Sequence, residues 1–248
     1  MVRLLLTFGL VFAMQQGCES SQKERPTANA SVLTNEEHKP LASPTKERMI
    51  VDEKEELAKK VEKIDADTAA VIRSENSKLT TLPTPFYRSG KIYRVEKFAP
   101  TRPIIRYIGV GDDDFTTILN ANEKGFFELA DKAGISIEPR EARAEYLKTF
   151  LETVVAGNKR LQIVGSVKEI KPRPNLDDAK NEELKQFYRK YEKTVVPVKC
   201  SDAMPSSCVV FAVKGQDLVR IDAKISFAGQ VEMKVTILES NLLIPYAN

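Results

Sequence analysis

Residues 219–238 carry the pattern that most restricts what this chain can fold into. Val219, Ile221, Ala223, Ile225 and Phe227 alternate with Arg220, Asp222, Lys224 and Ser226. After Ala228-Gly229-Gln230, Val231, Met233, Val235 and Ile237 alternate with Glu232, Lys234, Thr236 and Leu238. A strand turns successive side chains to opposite faces, so strict period two predicts two strands with one buried and one wetted face. The short glycine-containing break between them suits a hairpin. The segments 194–200 (TVVPVKC) and 208–214 (CVVFAVK) read as neighbouring strands of the same antiparallel sheet.

Upstream the period changes. Ile50, Leu57, Val61, Ile64 and Val71 fall near heptad positions, with Lys54 and Thr68 filling the others and charge on the remaining faces. This predicts an amphipathic helix over 49–80, which either docks on the body of the protein or zips against a partner. Pro83 and Pro85 break it, and 91–98 and 104–110 read as strands. Gly109-Val-Gly111-Asp112-Asp113-Asp114 follows. A dinucleotide loop needs another glycine where Asp114 stands, and a calcium loop needs alternating acids and a terminal Glu. The expectation is therefore that these carboxylates open and cap a helix over 115–133, with Phe115, Ile118, Leu119, Phe126 and Ala130 on one face and Gly134 as its stop. Pro139 begins another helix that turns Tyr146, Leu147, Phe150, Leu151 and Val154 inward and ends at Gly157. A strand over 161–170 follows. Asn175 then caps a helix whose stripe is Leu184, Phe187, Tyr191 and Val195. Helices first and in the middle, with strands gathered at the end, predict an α+β fold. It has an N-terminal helix and then helices packed on a C-terminal antiparallel sheet of about four to six strands.

The first 48 residues read differently. Arg3 precedes an apolar or small run over 4–14 (LLLTFGLVFAM), too short to span a bilayer, and Gln15-Gln16-Gly17-Cys18 sits where a secretory cleavage site belongs. On Gly17-Cys18 the segment resembles the bacterial lipoprotein class; Gln15 stands where that class usually has Leu. The resemblance implies cleavage before Cys18, acyl chains on Cys18, and an exported protein anchored to an envelope membrane, at the outer membrane or a periplasmic face. An ordinary secretory signal is the alternative, although Gln15 paired with Ala13 or with Gly17 fits the general peptidase poorly. Residues 19–48 are polar, hold Pro26, Pro40 and Pro44, and contain no aromatic side chain. They read as a tether with a reach of about 30 Å. The expected organisation is a signal peptide over 1–17, a lipid-anchored disordered tether over 18–48, the amphipathic helix over 49–80 and an α+β domain over 81–248.

The chain has three cysteines, and lipid on Cys18 leaves the pair Cys200 and Cys208. In an exported chain this pair predicts a disulfide closing the turn-rich segment 201–207, with free thiols as the alternative. Over 115–240 the order of two helices, a strand, a helix and then four strands is similar to the NTF2-like cone. That resemblance implies a pocket of the kind that often takes small ligands.

Function is constrained mostly by exclusion. The formal charge is +3, from 38 basic and 35 acidic side chains, with no clustered basic face for nucleic acid. The only histidine is His38, in the tether, so the domain has no Ser-His or Cys-His device and no four-ligand zinc set; no cofactor is expected. The leading expectation is a non-enzymatic envelope lipoprotein, held to the membrane through Cys18, that binds a small-molecule ligand or another envelope component. Two alternatives stay open: a helical assembly factor acting through 49–79, and a carboxylate-dependent hydrolase, for which no residue pair stands out.

Overall fold

The computed structural model describes residues 45–156 and 161–245, with side chains from Asp52 onward. Among the described residues the fold is α+β, with five α-helices and two antiparallel sheets. The first sheet has order β1–β2–β3–β4, from β1 (Ser77–Leu82), β2 (Lys91–Lys97), β3 (Ile104–Val110) and β4 (Thr116–Ile118). The second has order β5–β7–β8–β9, from β5 (Leu161–Val164), β7 (Ser206–Lys214), β8 (Asp217–Ile225) and β9 (Val231–Glu239), with β6 (Lys199–Cys200) paired to β7.

The helices fill the spaces that the strand alternation leaves apolar. Helices α1 (Thr45–Glu62) and α2 (Ala66–Arg73) set Leu57, Ala58, Val61, Ala69 and Ile72 against Tyr93, Val95 and Ile108 on one face of the first sheet. Helices α3 (Glu123–Lys132) and α4 (Arg140–Phe150), the latter continued by a π-helical turn over Leu151–Val155, lie between the two sheets. There Phe126, Tyr146 and Phe150 meet Ile92 and Tyr107 from one sheet and Val210, Val219 and Ile221 from the other. Helix α5 (Asp178–Tyr191) covers the remaining face of the second sheet, against Phe211, Val213 and Leu218.

Several expected elements differ in the structure. The segment 49–80 is not one helix. Asp65 accepts a hydrogen bond from the Thr68 amide and starts α2 as a separate helix, and residues from Ser77 pair with β2. Lys54 explains a polar member of the stripe, since its ammonium donates to the carbonyls of Ser74 and Ser77 beyond the end of α2. The acidic run 112–114 opens a β3–β4 turn rather than a helix: Asp113 and Asp114 take φ of 54° and 57°, and the Gly111 amide donates to the Phe115 carbonyl. Helix α3 begins only at Asn122, whose side chain accepts from the Gly125 amide. Phe115, Ile118 and Leu119 imitate helical spacing because a short strand and a turn bring them to it. Asp177, not Asn175, caps α5, and 194–200 contributes only the two residues of β6.

The hairpin over 217–239 is present, but its apolar row is not uniformly covered. Val219, Ile221, Ala223 and Ile225 are buried, whereas across the register only Val231 of β9 is. Met233, Val235 and Ile237 are 37%, 45% and 58% exposed, and Phe227 lies in the turn at 72%. Gly229 in that turn has no room for a side chain. Its φ is +78°, a Cβ would come within 2.4 Å of Ile135, and the Tyr146 hydroxyl donates to its carbonyl at 2.7 Å.

Candidate functional site

The disulfide is in place. Cys200 and Cys208 face one another in the β6–β7 register, with Cα atoms 4.0 Å apart and the sulfurs bonded. A residue the sequence reading passed over secures the loop they close. Arg143 of α4 is 4% exposed and donates to the carbonyls of Ile137, Glu138 and Ser201, so the loop after Cys200 is tied to the α4 face between the sheets. The signal was available in the spacing. Arg143 precedes Tyr146, Leu147 and Phe150 by three, four and seven residues, which places it on the buried face of the same helix. Cys18 lies outside the described residues.

Space for a ligand lies on the other side of the second sheet. A cavity of about 210 Å³ opens between α5 and the segment after β9, walled by Ile170, Leu184, Phe187, Leu242, Leu243 and Ile244. Local bonding holds this wall. The Leu242 amide donates to the Gln216 carbonyl, the Arg173 amide to the Leu243 carbonyl, and the Arg173 guanidinium to the Ile244 carbonyl at 2.6 Å. The Tyr188 hydroxyl donates to the Ile170 carbonyl at 3.0 Å, so α5 is held to the cavity floor through its aromatic face. A second cavity, of about 310 Å³, adjoins at Ile170 and Ile244 and is bordered by Val213, Gly215 and Pro245, with Gln162 and Lys171 as its polar members.

The rim of the first cavity is polar, with Glu183, Gln186, Ser240 and Asn241 beside one paired cluster. Lys190 meets Glu239 at 2.6 Å, and the Tyr191 hydroxyl donates to Glu239 at 2.9 Å and to the Leu238 carbonyl at 2.7 Å. The Lys190 ammonium sits 4.9 Å from the centre of the Tyr191 ring. Hydrogen bonding from Lys190, and then from Tyr191, holds the Glu239 carboxyl below its ordinary range; the same bond raises Lys190. Burial, ahead of its charged neighbours, pushes Tyr191 up. A hollow with six apolar and six polar lining residues, Glu183, Lys190 and Glu239 among the latter, can take an aliphatic or aromatic group and leave a polar end among the charges. Its volume suits one or two side chains or a short acyl stretch rather than a cofactor.

A second polar cluster sits on the inner face of the first sheet. The Arg94 guanidinium donates to Glu96 at 2.6 Å, and the Tyr107 hydroxyl donates to Glu152 at 3.0 Å. Burial raises Tyr107 well above its ordinary range, with the Glu152 carboxylate adding to it. These four groups satisfy one another rather than pointing at a vacant centre. The carboxyl shifts resolved among the described residues, at Glu55, Glu62, Asp114, Asp177 and Glu239, are all downward. Among the described residues no three His, Cys, Asp or Glu side chains are grouped to hold a metal ion, and no helix is long and apolar enough to cross a membrane.

Comparison with protein-family models, with curated proteins and with solved structures finds no match for this chain.

Proposed function

We propose that this protein is an exported binding protein, anchored to a bacterial envelope membrane by lipid on Cys18, that receives an apolar group of an envelope component in the cavity between α5 and the segment after β9. The observation that carries the binding reading is that cavity, with its Leu184–Phe187 wall and its Lys190–Glu239 lip. The anchor rests on the apolar run ending at Gly17-Cys18, and the Cys200–Cys208 bridge suits the oxidising compartment such a chain would enter. Burial within 49–79 favours the binding reading over the assembly reading. Leu57 and Val61, the heart of that stripe, are 4% and 0% exposed against the first sheet, leaving Ile64 as its exposed member among the described side chains.

Binding is tested with a neutral naphthylamine dye that fluoresces in apolar surroundings. The wild type should enhance its emission saturably, and Leu184→Glu should weaken binding about tenfold while circular dichroism stays unchanged. Equal binding by both proteins, or no saturable binding by the wild type, removes the cavity from the argument. The anchor has its own test: radioactive palmitate should label the wild type in cells and leave Cys18→Ala unlabelled. Label on both, or on neither, rules out lipid at Cys18.

A further inference from the structure

Among the described residues β9 is an edge of the second sheet, and its open side is patterned to pair with itself. Four of the six exposed large hydrophobic side chains among the described residues, Phe227, Met233, Val235 and Ile237, lie on the β8–β9 hairpin. Met233, Val235 and Ile237 continue the buried face of β8, opposite Ala223, Ile221 and Val219, so the apolar face of the sheet runs past its last covered strand. Natural edge strands of this length usually carry a protecting device on the apolar side, such as an inward charge, a proline or a bulge near the middle. Here the one register shift lies at Leu218/Val219, towards the far end of the strand.

The backbone is set the same way. Across the turn the Ser226 amide donates to the Gln230 carbonyl, and antiparallel pairing alternates from there. Val231, Met233 and Val235 therefore turn their amide and carbonyl groups away from β8, toward the open edge.

We infer that two copies of this chain pair antiparallel through β9, with a two-fold axis at Met233. The charges on the opposite face select that register. With Met233 on the axis, Glu232 faces Lys234 of the second copy, twice by symmetry. Within one chain Lys224 already faces Glu232 and Asp222 faces Lys234. The pairing extends both rows across the joined sheet as Lys224, Glu232, Lys234, Asp222, alternating in sign throughout. Shifting the axis to Lys234 sets Lys234 against Lys234, and an axis at Glu232 opposes two glutamates; like charges directly opposite are unfavourable. An axis at Val235 leaves Lys234 opposite Thr236 and Glu232 opposite Leu238, without charge pairing. On the apolar face the chosen register sets Met233 beside Met233 and Val235 beside Val231. The interface is isologous and closes at two copies. The inference does not depend on the anchor or on the cavity.

The test uses the full chain as expressed, with single cysteines at exposed β9 positions, mild oxidation and non-reducing gels. Met233→Cys should form a disulfide-linked dimer, because directly opposed residues in this kind of pair lie about 5.5 Å apart between Cα atoms. Val235→Cys should not crosslink to itself. The wild type, which keeps Cys18, Cys200 and Cys208, sets the background. Glu232→Lys should reduce the Met233→Cys crosslink several-fold, and reversing the whole row by adding Lys234→Glu, Lys224→Glu and Asp222→Lys should restore it. A Val235→Cys dimer equal to that of Met233→Cys, or no dimer from either in protein whose Cys200–Cys208 bridge is intact, overturns the inference. So does a monomeric wild type whose β9 amides are nevertheless protected from exchange, since another occupant would then hold the strand.

Discussion

The two faces of the second sheet are both covered by aromatic-bearing helices, yet one is closed and the other is not. Between the sheets, Phe126 lies 5.3 Å from Tyr146 and 5.2 Å from Phe150 by ring centres, and all three rings are buried. On the outer face, Phe187 lies 5.2 Å from Tyr191 and 5.7 Å from Tyr188, distances of the same kind, but only Tyr191 of α5 is buried. The difference is in what backs each helix. Helices α3 and α4 have a sheet on each side. Helix α5 has a sheet on one side and solvent on the other, so its ring edges and the Leu242–Ile244 segment leave hollows where a second layer would have filled them. Room for a ligand thus follows from layer position and not from the supply of aromatic residues.

This contrast can be broken by substitution. The largest effect is expected at the closed layer. Phe126→Ala removes a fully buried ring from rigid surroundings and should lower stability by about 3–5 kcal/mol, read as a shift in the urea midpoint with unchanged slope. A similar loss for Phe187→Ala would mean that the outer layer is as tightly filled as the inner one. Arg143→Ala comes next. It strands three carbonyls in the region between α4 and the disulfide loop, and an expected loss of about 2–3 kcal/mol is measurable in the same experiment. Reducing Cys200–Cys208 reopens a loop of eight positions, which in the loop-entropy picture lowers stability by about 2–3 kcal/mol. Comparing melting with and without reductant, in protein with and without Arg143, reads whether bridge and arginine hold the same loop; if they do, the two losses should fail to add.

The smallest effect belongs to the open layer and depends on pH. Glu239 sits below its ordinary range in the folded protein, so its pairing with Lys190 stabilises above the unfolded carboxyl range, near about 4.3, and that contribution is lost as pH falls through the lower folded value. Both side chains are partly exposed, and the effect on overall stability should be slight. Amide exchange in the last turn of α5 should nevertheless quicken on acidification in the wild type and already be quick at neutral pH in Glu239→Gln. Unchanged exchange in both would remove the ion pair as the fastening of the cavity lip.

The bodies of helices α4 and α5 and of the hairpin β8–β9 are legible in the sequence. Each carries a complete period, as in Tyr146, Leu147, Phe150 and Leu151, or in the alternation from Val219 to Ile225. The elements that escaped are those whose spacing is set by neighbours. Thr116–Ile118 becomes a strand because the backbone of β3 pairs with it, and Ser77–Leu82 joins β2 at the end of what resembles a helix. The cavity was not legible at all. Ile170, Phe187 and Leu242 stand 17 and 55 residues apart in the chain, and no local pattern connects them.

The amino-acid order alone determined the class of fold, the disulfide partners and which side of each strand is apolar, because these depend on contacts within a few residues or on a small count of cysteines. Tertiary structure alone decided which apolar rows find a cover. Val231 and Ile237 occupy equivalent places in the same alternation, yet one is 5% exposed and the other 58%. Burial belongs to the layer that arrives from elsewhere in the chain: among the described residues α5 meets β9 only at Leu238 and Glu239, and Met233, Val235 and Ile237 on the other face keep their exposure.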